Sequence, residues 1–239
     1  MRTSTAYERV KQGITEALGS GRWRHGQRIP SEPLLARRFN VSVGTVRKAV
    51  GELVAENILV REQGRGTFVV SHTRDYMLNV FFRIVDREGR KELPQGTVLA
   101  FERTKADRET ARLLRIAPGA RVLRIETLLR LQGRPAIVDD IRLPLRLFPD
   151  LDARTFAERP GTIFGLFQTR YGLTVVRTED FVTAVIAGGR HAALLDLPPG
   201  AALLHVRRTA FTYRNQPVET RVRYVSCARH GYVNVLGKS

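Results

Sequence analysis

Residues 29 to 70 read IPSEPLLARRFNVSVGTVRKAVGELVAENILVREQGRGTFVV, and the order of signals in this stretch decides what the chain is built around. Ser42 stands where an N-cap belongs, able to accept from the free backbone N–H groups of Val43-Gly44-Thr45, so a helix is predicted to begin there. Val46, Ala49, Val50, Leu53 and Val54 recur at helical spacing and form its apolar face, which leaves Thr45, Arg47, Lys48 and Glu52 to the others. Upstream, Ser31 is placed to cap a shorter helix. Glu32 suits the positive end of its dipole, Pro33 is tolerated in the first turn, and Leu34, Leu35 and Phe39 supply a buried side. Asn40-Val41 is then the turn between the two, and Asn57 closes the second helix because asparagine accepts a left-handed conformation. Ile58 to Glu62 and Thr67 to Val70 follow as strands of a hairpin, with Gln63-Gly64-Arg65-Gly66 as a turn carrying a cation at its tip. Helix, turn, helix and basic-tipped hairpin make a winged helix-turn-helix. Such a helix lies in the major groove of double-stranded DNA, and Arg65 on the wing reaches backbone or minor groove.

The same residues carry a resemblance. PSE, LA, VS-x-x-TVR-x-A, L-x-R and QGRGTFV resemble the N-terminal domain of the GntR family of bacterial transcription regulators, over roughly the first third of the chain. The resemblance implies DNA contact by Ser42, Thr45, Arg47, Gly64, Arg65 and Gly66, with Ser31, Val43, Lys48 and Thr67 as their neighbours on the same surface. Relatives often have arginine where this chain has Pro33 and Val43. An arginine fork on guanine is the commonest specific base contact, so Val43 either meets a thymine methyl or serves a different operator.

A chain of 239 residues is longer than one winged helix needs, and 43% hydrophobic residues suffice for two cores. The formal charge of +17 favours a polyanionic partner through attraction and counterion release. It is not confined to the DNA module. Residues 1–74 hold 13 Lys and Arg against 6 Asp and Glu, net +7, which leaves +10 for the remainder, as solubilising surface or as the lining of a pocket for an anion. A membrane surface is the rival polyanion, but there is no long uninterrupted apolar run, and MRTSTAYERVKQGI lacks the apolar core of a signal peptide. A cytoplasmic location is expected. The single cysteine, Cys227, excludes an internal disulfide or a cysteine-cluster zinc site and is expected as a plain strand residue.

In chain order, Tyr7, Val10, Ile14 and Leu18 share a helical face ended by Gly19-Ser20-Gly21, and Trp23 completes that core. Arg22 to Arg28 reads as a lead-in loop. The polar, patternless 71–75 reads as a linker, giving a division into a DNA-binding domain over 1–70, a linker over 71–76 and a second domain over 77–239. That second domain holds an internal repeat: TARLLRIAPGARVLRI at 110–125 and HAALLDLPPGAALLHV at 191–206, each a short helix, a Pro-Gly-Ala turn and an apolar strand. Both copies continue into hairpins, turning at Gly133-Arg134-Pro135 and at Arg214-Asn215-Gln216-Pro217. Two helix-plus-hairpin units predict an α+β fold, an antiparallel sheet with helices on one face, and a ligand cleft where the copies meet. Thr162 to Tyr171, between the copies, matches another helix.

This layout resembles the UTRA domain, the chorismate-lyase-like effector half of the HutC subfamily within the GntR family, from Met77 to Leu236. The resemblance rests on the hairpins, on Gln-Pro-Val-Glu at 216 to 219 and on Arg229. It implies a small acid, an amino-acid breakdown product or a phosphosugar as effector, held by residues at Arg130, Asp139, Thr162 and Glu219. Leu128 replaces one arginine of a pair seen in relatives, and Val225 replaces a tyrosine. Arg221 and Arg223 share a strand face with Glu219 and are candidates to supply the missing cations; water-facing positions are the alternative.

Two alternatives to a ligand-responsive regulator remain: an enzyme using the chorismate-lyase-like domain, and an architectural DNA-binding protein without a ligand. His25, His72, His191, His205 and His230 are scattered, and no G-x-S-x-G, Walker A or H-E-x-x-H occurs. Asp139 and Asp140, adjacent on a strand, point to opposite faces and cannot share a site. No catalytic residue, cofactor or metal is expected. The expected protein is a homodimer that binds a two-fold symmetric operator as a repressor and lets go when a small, anionic metabolite binds.

Overall fold

The computed structural model describes residues 5–235, so the first four residues and Leu236, the end of the second resemblance, lie outside it. The head begins with α1 (Ala6–Gly19), α2 (Glu32–Phe39) and α3 (Val43–Ala55), followed by the hairpin of β1 (Leu59–Glu62) and β2 (Gly66–Val69). Val10, Ile14, Trp23, Leu35, Val46, Val50, Leu53 and Val69 close one core, as the periodicity requires. Gly13 lets α1 and α2 approach: a Cβ there would sit 2.4 Å from the Phe39 ring. The lead-in loop is more ordered than expected. Ile29 donates to the Thr67 carbonyl and Val69 to that of Gln27, both at 2.9 Å, which adds Arg28 to the wing as a short third strand beside Phe68.

Residues 71–75, expected as a patternless linker, are docked instead. Thr73 caps α4 (Arg74–Val80), and His72 is buried, its Nε2 donating to the Val175 carbonyl at 2.8 Å. Polarity alone misread the segment, because its polar groups are satisfied internally rather than by water.

The rest is built on a six-stranded antiparallel sheet. Chain order gives β3 (Ile84–Asp86), β4 (Gln95–Lys105), α5 (Arg108–Leu114), β5 (Arg121–Leu131), β6 (Arg134–Pro144), α6 (Ala153–Ala157), α7 (Ile163–Tyr171), β7 (Arg177–Ile186), α8 (Gly189–Leu194), β8 (Ala202–Thr212), β9 (Gln216–Ser226) and β10 (His230–Tyr232). The sheet order β4-β5-β6-β9-β8-β7 sets the two repeat copies side by side, joined at β6 and β9, while β3 and β10 pair separately. The expectation of helices on one face is corrected. α4, α6 and α7 cover the face of Leu123, Ile125 and Ile141, whereas α5 packs on Val122 and α8 on Leu128, Val138 and Leu203, which point the other way. Alternation along each strand makes both faces partly apolar, and each needs its own cover. Cys227 falls in the turn after β9 rather than in a strand.

Head and sheet are in contact. Tyr213, in the 3-10 turn between β8 and β9, is buried in the core of the head, and Arg214 pairs with Glu16 of α1 at 2.7 Å. Gln168 of α7 accepts from His72 N at 2.9 Å and donates to the Val70 carbonyl at 3.2 Å, fastening the end of the head to the second domain.

Candidate DNA interface and ligand cavity

In the head, Ser42 caps α3 as expected, accepting from Thr45 N at 3.1 Å, with the two hydroxyls 2.9 Å apart. Ser31 occupies the N-cap position of α2, but its side chain makes no capping bond. α3 turns Val46, Ala49, Val50 and Leu53 inward and leaves Val43, Gly44, Arg47 and Lys48 exposed. Glu32 ties helix to wing, accepting from Arg47 at 3.0 Å and from Arg61 of β1 at 3.1 Å. Lys48 leans back over the Tyr7 ring of α1, 4.1 Å from its centroid, and so stands apart from Arg47. At the wing tip Gly64 and Gly66 have φ of 72° and 119°, conformations that favour glycine, and a Cβ on Gly66 would meet Arg28 at 2.6 Å. Arg65 is exposed between them, pairs with Glu62 and lies over the Phe68 ring; Thr67 follows, half-buried in β2. These side chains are outward-facing cations and hydroxyls on a capped helix and a tight turn. Exposed pairs of this kind are weak and can be exchanged for phosphate or base contacts.

The second site is a cavity of about 290 Å³ over the join of the repeat copies, between the sheet and the helices on its first face. Thr127, Asp139, Arg208, Arg221 and Arg223 rise from the sheet, Thr162 and Phe164 come from the start of α7, and Arg74, Phe81 and Arg159 are among the other lining residues. Three of the six positions implied by sequence to hold an effector lie on the sheet wall of this cavity, Asp139, Arg221 and Arg223; Thr162, the cap of α7, accepting from Gly165 N at 3.1 Å, is a fourth. Glu219 is fully buried just behind Arg221. Arg130 is elsewhere, reaching Thr97 on the edge strand at 3.2 Å.

Arg221 and Arg223 do not face water, the alternative left open by sequence; each is only 6% exposed. Both oxygens of Asp139 accept from Arg223 at 2.7 Å, and Arg221 adds a third bond at 3.1 Å. Arg221 also grips Glu219 through two bonds, at 2.5 and 2.8 Å, and Arg208 grips Asp180 likewise at 2.7 and 2.6 Å. Burial alone would raise the pKa of Asp139, but the charges of Arg223 and Arg221 outweigh it and hold the carboxyl below its ordinary value. Burial would likewise discharge Arg221, and the charges of Glu219 and Asp139 reverse that, so its pKa is raised. Asp140 turns to the opposite face toward Arg124, as adjacent strand residues must.

Arg208 and Arg159 escaped the sequence reading. The repeat could have found Arg208: continuing the alignment of 110–125 with 191–206 sets Thr127 against Arg208, and both line the cavity. Arg159, on the connection between α6 and α7, has no repeat counterpart and no motif around it. Among the described residues no group of His, Cys, Asp and Glu is arranged to hold a metal ion, and no helix is long and apolar enough to cross a membrane.

A DNA-reading head fastened to a sheet that encloses a charged cavity defines a transcription regulator of two parts. The chain belongs to the GntR family of bacterial regulatory proteins, which matches residues 6–69, with a UTRA domain matching residues 89–230. YurK, an HTH-type transcriptional regulator of Bacillus subtilis (strain 168), is 31% identical over 215 residues, 89% of this chain and 87% of its own. The histidine utilization repressor of Klebsiella aerogenes is 30% identical over 208 residues, 86% of this chain and 84% of its own. The ligand-binding domain of a proposed GntR-family regulator from Bordetella bronchiseptica superposes with a TM-score of 0.62 at 30% identity, covering 65% of this chain and 96% of that one.

Proposed function

We propose that the chain is a repressor that binds a palindromic operator as a homodimer and is released from it by a small anionic metabolite. The single observation that supports this best is the pairing of an outward cationic surface on α3 and the wing with an inward cationic cavity in the second domain. In this reading residues 1–70 bind DNA through Ser31, Ser42, Val43, Thr45, Arg47, Lys48, Gly64, Arg65, Gly66 and Thr67. Residues 77–239 bind the effector and the second copy, with 71–76 between them. Asp139, Thr162, Arg221 and Arg223 face the effector, Glu219 holds Arg221 for it, and Arg130 is left without that role. The protein works without catalysis or a cofactor, in the cytoplasm where its operator is.

Paired recognition helices would read half-sites about one helical turn apart. The effector acts by its difference in affinity for two placements of the heads, so effector and operator must weaken each other's binding reciprocally. The contacts that carry such a shift run from Thr162 along α7 to Gln168, and from there to His72 and Val70 at the end of the head.

The test is selection from a random DNA library with the full-length protein at fixed, moderate salt, repeated on genomic fragments. An enriched palindrome is expected, lost in Arg47→Ala and weakened in Arg65→Ala. Binding without enrichment that falls steeply with salt would leave phosphate attraction alone and overturn the reading.

A further inference from the structure

The two edges of the six-stranded sheet are finished differently. β4 is guarded: its pairing with β5 shifts register between Val98 and Ala100, and Glu102, Arg103 and Lys105 stand exposed on it. Bulges and charges keep an edge strand from pairing with another chain. β7 has neither over its second half. Its ten residues pair with β8 without a shift, and Phe181 to Ile186, FVTAVI, hold no charge, proline or glycine. Eight large hydrophobic side chains are exposed among the described residues, and three of them fall in this run: Phe181 at 56%, Val182 at 39% and Ile186 at 69%. Ala184 is exposed with them. Single exposed apolar residues are ordinary, but a cluster on an open strand edge marks a surface for association.

The exposure covers both sides of the strand. Asp180 is opposite Arg208 of the cavity wall, so Val182, Ala184 and Ile186 lie on the cavity face of the sheet, while Phe181, opposite Arg207, lies on the other. An edge that is apolar on both faces, with no partner strand along its outer side among the described residues, has the character of an interior strand of a wider sheet.

We propose that β7 pairs antiparallel with β7 of a second copy about a two-fold axis through Ala184, joining two six-stranded sheets into one of twelve. This rests on the homodimer reading above and names its surface. A strand paired with itself in this way has its axis normal to the sheet, which keeps each face on its own side. Residues directly opposite one another are then both even-numbered or both odd-numbered. Centring on Ala184 sets Val182 against Ile186, Thr183 against Val185 and Phe181 against Ala187, with no charge in any pair. Centring one residue earlier would set Ile186 against Asp180, whose carboxylate is held by Arg208 and Tyr232; one later would leave Val182 against Gly188. Charge favours a second copy as the occupant. The same register brings Glu179 opposite the partner subunit's Gly189 and next to the partner subunit's Arg190, an acid meeting a cation at each end of the pair. Each already has a partner within its own chain, Arg177 and Glu126, and each remains more than half exposed.

The test is sedimentation equilibrium on the full-length protein without DNA, and a dimer is expected. Val182→Lys with Ile186→Lys sets like charges against each other twice and should raise the dimer dissociation constant at least about a hundredfold. Val182→Lys with Ile186→Glu should recover most of that loss. The two positions are about 13 Å apart along one strand, so only a second copy can bring them together. Ala184→Cys, with Cys227→Ser removing the single native cysteine, should give a disulfide-linked dimer on mild oxidation. Directly opposed Cα atoms lie about 4.5–5.5 Å apart, within the span of a disulfide. If the double lysine variant does not fold, as judged by thermal melting, the cross-link carries the test. A wild-type dimer left intact by the folded double lysine variant and not cross-linked by Ala184→Cys overturns this edge and leaves the homodimer reading standing. Cross-linking by Thr183→Cys in preference to Ala184→Cys overturns the register. A wild-type monomer at every concentration overturns the homodimer reading and the edge together.

Discussion

The head and the second domain use the same residue, arginine, in opposite ways. In the head Arg47 and Arg61 share the single carboxylate of Glu32, and Arg65 stands 73% exposed at the wing tip. In the sheet, Arg208, Arg221 and Arg223 are withdrawn from water and matched oxygen by oxygen with Asp180, Glu219 and Asp139. The lesson concerns partners. An exposed arginine with a weak intramolecular pair is available to a polyanion, whereas a buried one is part of the architecture.

The contrast can be broken most forcefully at Asp139. Asp139→Ala leaves Arg223 and part of Arg221 buried without a counter-charge, and a loss of about 3–5 kcal/mol in unfolding free energy is expected by urea denaturation. Loss of under about 1 kcal/mol would mean that water reaches the network and that the two regions differ less than their burial suggests.

His72 gives the next effect. Burial, with a smaller contribution from His25, depresses its pKa from 6.5 to about 4, so the unfolded chain binds a proton that the folded one refuses. Stability is therefore complete above about pH 6.5 and lost as pH falls toward 4, by roughly 3 kcal/mol over the whole interval at about 1.4 kcal/mol per unit. Denaturation at pH 7.5 and 5 should show that slope, and His72→Gln should flatten it. An unchanged slope in the variant would assign the pH dependence to the carboxylates instead.

Smaller effects are expected in the head. Ser42→Ala removes the cap of α3 and should cost about 1 kcal/mol in the same assay. Arg47→Ala should leave the unfolding midpoint where it is and reduce the salt dependence of DNA binding by about one counterion. A large stability loss in Arg47→Ala would place that residue with the sheet arginines and undo the comparison.

How much could be read in advance follows from the same contrast. The head was legible nearly residue by residue, because caps, turns and helical periodicity are local: Ser42, Asn57 with φ of 56° and the Gly64-Arg65-Gly66 tip are each a short-range rule. The repeat gave the two halves of the sheet. It did not give the edge strands β4 and β7, whose mixed exposure blurs alternation, nor the second helical face, since periodicity shows that a strand has an apolar side without showing what covers it. Arg221 and Arg223 stand out in the sequence, but their burial at the cavity wall depends on Asp139, far away in sequence and a neighbour only through the pairing of β6 with β9. Arg130 shows the converse, a family position kept in sequence whose side chain reaches Thr97 at the sheet edge rather than the cavity.

Tyr213 carries one more consequence. Its ring belongs to the second domain by sequence and to the core of the head by packing. A head grafted here from another regulator would meet a side chain fitted to different neighbours, and this head moved elsewhere would carry an empty socket. Recombination between such genes is therefore constrained: the choice of operator and the choice of effector are inherited together unless the turn between β8 and β9 crosses over with the head.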